Sequence, residues 1–224
     1  MIAVAATARR NRAPTTLDQQ IADWLQSLIP EGRPRRLARM SAPGELKPEI
    51  VRDAKTGRPI RDEHGKVIKT GRMVARDKYE DIYDTALTPA MLRRHAAGDV
   101  TYSYTLDQNG LARAGAIDID QGGQPALLAL LGAAHTLGYT AVAIHMPGER
   151  HSGGHFWCLF DALYSATDIK ALMQQIAALA DVEAKELWPQ NQGIRPPFGK
   201  HQLNGRCGEL LTQAGEIFDL DVAD

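Results

Sequence analysis

Arg113-Ala114-Gly115-Ala116-Ile117-Asp118-Ile119-Asp120 reads as the end of a buried strand. The β-branched Ile117 and Ile119 alternate with Asp118 and Asp120. A strand's period of two therefore sends the isoleucines to one face and the carboxylates to the other. Two carboxylates two residues apart on one face repel each other and are costly to desolvate. A cation between them relieves both penalties, and hard oxygen ligands suit Mg²⁺ or Mn²⁺. A strand running out into an acidic, solvated turn at Gln121-Gly122-Gly123 would leave the same letters, so the pair gains meaning only from its neighbours.

Upstream, Val100–Leu106 is strand-like and Asp107-Gln108-Asn109-Gly110 forms a turn, so a hairpin with Leu111–Asp120 is expected. Before it, Thr88-Pro89 opens a helix that runs through Met91, Leu92 and His95 to Gly98. Downstream, Pro125 opens a helix over Ala126–Leu137, ended by Gly138. Thr140–His145 and Phe156–Phe160 are further strands, and Thr167 caps a helix with Ile169, Leu172, Met173, Ile176 and Leu179 on one face. That order predicts an α+β fold, an antiparallel or mixed sheet with helices packed on one face and Asp118 and Asp120 on its open face.

The 224 residues suffice for one domain with a sub-lobe. A net charge of −1 conceals an asymmetry: residues 1–78 carry +8 and residues 79–224 carry −9. We therefore expect a basic N-terminal α/β sub-lobe over 1–78 and a second unit over 79–224. Within the first, residues 1–16 read as a loose arm and Leu17–Ile29 as a helix stopped by Pro30. Glu49–Lys69 reads as a small hairpin system with turns at Lys55-Thr56-Gly57 and Glu63-His64-Gly65-Lys66. The basic stripe through it, including Arg58, Arg61, Lys66, Lys69 and Arg72, is either a phosphate-contacting wing or a solvated appendage. Two cysteines, Cys158 and Cys207, without CxxC spacing encode neither a disulfide framework nor a zinc site. With no signal-like start and no apolar span, the expected location is cytoplasmic, with no membrane partner.

Three clusters belong with the acidic pair. Arg150-His151-Ser152-Gly153-Gly154-His155-Phe156-Trp157 is a glycine-containing loop leading into a strand, where Ser152 and His155 can donate to a phosphate. Glu186-Leu187-Trp188-Pro189 supplies another carboxylate. Ile194-Arg195-Pro196-Pro197-Phe198-Gly199-Lys200-His201 sets Arg195, Lys200 and His201 on a proline-stiffened loop, which suits gripping a triphosphate.

In this order and spacing the clusters resemble the archaeo-eukaryotic primase superfamily, the primase-polymerases, closest to the branch of conflict-system and CRISPR-associated loci. The likeness covers about residues 79–205. Ala116–Asp120 looks like the first motif. Ser152–Trp157 is similar to the second, though about two residues shorter than in relatives. Glu186–Pro189 with its basic trailer looks like the third, Glu183 being the alternative carboxylate.

The resemblance implies an RRM-like catalytic core and template-directed nucleotidyl transfer. Asp118, Asp120 and Glu186 would hold two Mg²⁺ or Mn²⁺ ions, while Ser152, His155, Arg195, Lys200 and His201 bind the nucleotide. Its partners would be a single-stranded or primed DNA or RNA template, NTPs or dNTPs, and other components of a replication, repair or defence complex. Two rivals remain open at this level, a non-catalytic RRM-like nucleic-acid-binding module and a metal-dependent nuclease.

Overall fold

Period-two alternation builds the central sheet. The computed structural model describes residues 16–27, 34, 36–41, 46–53, 58–75, 78–83, 85–146, 152–190, 192–202 and 205–219. Four helices and eleven strands follow one another: α1 (Thr16–Ser27), β1 (Leu37–Met40), β2 (Leu46–Ile50), β3 (Lys69–Ala75), β4 (Glu80–Ile82), α2 (Pro89–Ala96), β5 (Thr101–Tyr104), β6 (Leu111–Ile119), α3 (Gly123–Thr136), β7 (Ala141–Met146), β8 (Gly153–Ser165), α4 (Ala166–Leu179), β9 (Glu186–Trp188), β10 (Glu209–Thr212) and β11 (Ile217–Asp219). The fold is α+β, with every strand pairing antiparallel. A six-stranded sheet has the order β11-β10-β7-β8-β6-β9, beside a three-stranded sheet β4-β1-β5 and the pair β2-β3.

Each face of the large sheet has its own core. Ile117, Ile119, Ala143, Phe156, Cys158 and Leu211 pack with Leu127, Leu130 and Leu131 of α3 and Met173 and Ile176 of α4. Gly115 interrupts β6 because α4 lies so close. A Cβ there would come within 2.7 Å of Met173 Sδ and 2.8 Å of Ile169 Cγ2. The alternate residues Ala114, Ala116, Ile144, Trp157, Trp188 and Leu210 join a cluster with Ala22, Leu25, Leu37, Leu92, Tyr102 and Tyr104. Helices α3 and α4 thus cover one face as expected. The other is not open throughout: α1, α2 and the small sheet cover it near Ala114 and Ala116. Asp118, one step further along β6, stands at the rim of that cover, its side chain 14% exposed.

Several boundaries move. The expected hairpin of Val100–Leu106 with Leu111–Asp120 does not form, because β5 pairs with β1 instead. Only the turn is kept, with Asp107 accepting from the Gly110 N–H at 2.7 Å and Gln108 bridging to Leu111. Helix α3 starts at Gly123, before Pro125, because Gly122 takes a left-handed φ of 82° at the cap. Helix α4 is capped by Ser165, which accepts from the Asp168 N–H, and not by Thr167. Strand β8 begins at Gly153 and runs 13 residues. Thr88 caps α2 as expected. Of the arm expected over residues 1–16, Thr16 opens α1 and residues 1–15 lie outside the described residues, as do the turn Lys55-Thr56-Gly57 and the Arg150-His151 pair. Among the described residues no helix is long and apolar enough to cross a membrane.

Candidate active site

Strand β6 runs between β8 and β9, and register places Asp118 opposite His155 on one side and Glu186 on the other. Directly opposed residues of an antiparallel ladder share a face, with Cβ atoms about 4.5–5.5 Å apart. One row across three strands therefore holds His155, Asp118 and Glu186. His155 Nε2 is 3.5 Å from Asp118 Oδ1. Lys185 donates its backbone N–H to the Asp118 carbonyl at 2.9 Å, and its ammonium lies 3.5 Å from Asp118 Oδ2 and 3.0 Å from Asp120 Oδ1.

This crowding shifts protonation. Burial pushes the Asp118 carboxyl up from 3.8 to about 6; Lys185 opposes the shift while Asp120 and Glu186 add to it. Burial drives His155 down to about 3, helped by Arg195, His201 and Lys185, so its imidazole is neutral at ordinary pH. It can then donate from one ring nitrogen and accept at the other. Burial works against the Lys185 ammonium, yet its hydrogen bond to Asp120 and the charges of Asp118, Asp120 and Glu186 outweigh that and raise its pKa.

Asp118, His155 and Glu186 line one cavity together with Arg195, His201, Tyr79, Ser103 and Trp188. The loop carrying Arg195 and His201 is tied down along its length. Trp188 Nε1 donates to the Gln192 carbonyl at 3.0 Å. Ile194 and Tyr104 exchange backbone hydrogen bonds of 3.0 and 3.1 Å. Buried His95 accepts the Tyr102 N–H at Nδ1, which leaves Nε2–H to donate to the Pro196 carbonyl at 3.2 Å. Thr101 Oγ1 donates to the Lys200 carbonyl, and Phe198 meets Trp24 edge-on at 5.5 Å.

Gly199 lies flat on the His95 ring, where a Cβ would stand 2.1 Å from Nε2. Gly199→Ala should thus lower Tm by several degrees in a thermal melt, since overpacking costs about 1–3 kcal/mol and each kcal/mol is worth roughly 2–4 °C at this size. The same variant should displace Arg195 and His201 from the cavity they line.

No family model and no curated protein matches the chain.

The structure divides the residues singled out in the sequence. Asp118, Glu186, His155, Arg195 and His201 share the cavity just described. Asp120 and Ser152 line a neighbouring one with Gln121, Gln124 and His145, and the Lys185 ammonium links Asp120 back to Asp118. Lys200 lines neither. Glu183 is exposed and precedes β9, whereas Glu186 sits directly across from Asp118. Arg58, Arg61, Lys66, Lys69 and Arg72 are all exposed on and around the β2-β3 pair. Among the described residues no three His, Cys, Asp or Glu side chains stand close enough to hold one metal ion as they are arranged. Lys185 went unnoticed in the sequence although it adjoins Glu186; a lysine flanking a carboxylate in a short strand is the signal that could have found it.

Proposed function

We propose that the chain is a template-directed nucleotidyltransferase, a primase-polymerase of the kind its motifs resemble. The observation that carries this reading is the row of His155, Asp118 and Glu186 across three strands, with Arg195 and His201 facing the same cavity. On this reading β6, β7, β8 and β9 with α3 and α4 form an RRM-like catalytic core. The basic segment over 1–78 binds template.

The donor set fits divalent cations. The carboxylates are hard oxygen ligands, burial together with the neighbouring Asp120 and Glu186 disfavours the ionised Asp118 in the absence of a cation, and the Lys185 ammonium sits between two of the carboxylates as an internal counter-ion. Mg²⁺ or Mn²⁺ held by Asp118, Asp120 and Glu186 would supply activation of a primer 3′-hydroxyl and neutralise charge on the triphosphate. Arg195 offers a planar fork to phosphate oxygens, with His201 beside it. Neutral His155 donates a hydrogen bond without competing for the cation site. Lys200 supplies a second positive charge from the same loop, while Ser152 faces the other cavity and stays outside this assignment.

Lys185 must swing away for a cation to enter. Lys185→Met should therefore tighten Mn²⁺ binding severalfold in a calorimetric titration, and unchanged affinity would detach Lys185 from the site.

Incubation with a labelled primed template, Mn²⁺ and nucleotides tests the function, run with and without the starting oligonucleotide. Primer extension is expected. Shortening of the primer would favour the nuclease, and an intact, bound but unextended primer the non-catalytic module.

A further inference from the structure

A second polar cluster lies on the opposite face of the sheet from the carboxylate row. Glu209 of β10 and His145 of β7 are register partners, and alternation puts them on the α3 side with Ala143 and Leu211. His145 Nδ1 is 2.7 Å from Glu209 Oε2, and His145 Nε2 is 2.8 Å from the Ser152 hydroxyl. The carboxylate can only accept, so it fixes the imidazole proton on Nδ1 and leaves the Nε2 lone pair to receive the Ser152 proton. His145 is buried, yet it and Ser152 both line the cavity with Asp120, Gln121 and Gln124. Gln124 also braces Glu209 through Nε2 at 3.3 Å. Gly123 presses against the hydroxyl: a Cβ there would lie 2.5 Å from Ser152 Oγ, so only glycine leaves the pair its place.

Nucleophile, base and orienting acid stand in hydrogen-bond sequence beside a cavity, the geometry by which a serine is activated irrespective of fold. We propose that Ser152 is the nucleophile of a second catalytic centre, with His145 as general base and Glu209 as the positioning residue. Its substrate class is a carboxylic ester, whose carbonyl carbon is the electrophile for Ser152 Oγ. Ser152 Oγ bonds to the carbonyl carbon as its proton passes to His145 Nε2. The ester C–O bond then breaks and the alcohol leaves with that proton. Water, deprotonated by the same imidazole, releases the acid and restores Ser152.

The test is covalent labelling of the folded protein by a fluorophosphonate, read by intact mass and peptide mapping. One equivalent on Ser152 is expected, with none on heat-denatured protein and none on Ser152→Ala. His145→Gln should slow labelling about a hundredfold or more, and Glu209→Gln should slow it less while Ser152 remains the labelled residue. Labelling needs neither metal nor nucleotide, so its outcome is independent of primer extension. Folded wild-type protein that stays unlabelled, or that is labelled elsewhere, overturns the proposal.

Discussion

Asp118→Asn should abolish nucleotide incorporation and at the same time raise the melting temperature. The activity loss follows from position: Asp118 is the middle of the row, facing His155 and Glu186 together, and an amide offers a cation one neutral oxygen in place of a charged pair. A fall of about a thousandfold or more in incorporation is expected for loss of a group that acts on developing charge. The stability gain follows from protonation. In the folded chain Asp118 holds its proton up to about pH 6, against 3.8 ordinarily, so the folded state binds more protons than the unfolded one between those values. Stability therefore falls as pH rises from about 4 through 6, and above that the ionised carboxylate costs about 1–3 kcal/mol. Asparagine is spared that cost. Its advantage in Tm should be several degrees at pH 7.5 and should vanish near pH 4, measured by calorimetry without divalent ions. Adding Mn²⁺ should raise the Tm of wild type and leave the variant behind. A variant that melts no higher at pH 7.5 would mean that Lys185 already compensates Asp118 in full.

Much of this site was legible in the sequence, because alternation is local. Ile117 and Ile119 against Asp118 specified which side of β6 faces α3 and α4. Around Glu183 and Glu186 the alternation is imperfect in the sequence; the pairing of β9 with β6 is what puts Glu186 and Trp188 on the carboxylate side and Leu187 on the other. What alternation does not encode is the partner strand. Tyr102 and Tyr104 are buried against Leu37, and that burial draws β5 to β1 although its turn aims it at β6. Helix ends were displaced for a related reason: Gly122 at positive φ and Ser165 at the cap act three and two residues ahead of the more conspicuous Pro125 and Thr167. The Ser152–His145–Glu209 chain was invisible because its members come from β7, the approach to β8 and β10, with no fixed spacing to betray them. Ser152 reads in the sequence as a phosphate-donating hydroxyl beside its glycines, and nothing there pairs it with His145. His95, read as one residue of a helix stripe, proves to be the clamp on the Arg195 loop through Pro196 and Gly199.

Neutralising Arg58, Arg61, Lys66, Lys69 and Arg72 together should reduce binding to a single-stranded oligonucleotide by orders of magnitude at low salt. All five are exposed on and around the β2-β3 pair, so replacing them disturbs little packing, and each surface change should stay within about 0.5 kcal/mol of stability. Their role is electrostatic if they contact phosphates. Every phosphate contact with single-stranded nucleic acid releases counter-ions and adds about 0.7 to the slope of log affinity against log salt, so removing five contacts flattens the slope by up to about 3.5. Arg61 Nη1 donates to the Gly65 carbonyl at 2.7 Å and so helps hold its own turn. Asp62 keeps that turn in the variant by accepting from the backbone N–H groups of His64 and Lys66. Fluorescence anisotropy across a salt series reads both quantities. The loss should be uniform over oligonucleotide sequences, since phosphate contacts carry no base information. A wing that merely keeps the protein soluble would leave the slope where it was, and template would then have to reach the carboxylate row by another surface.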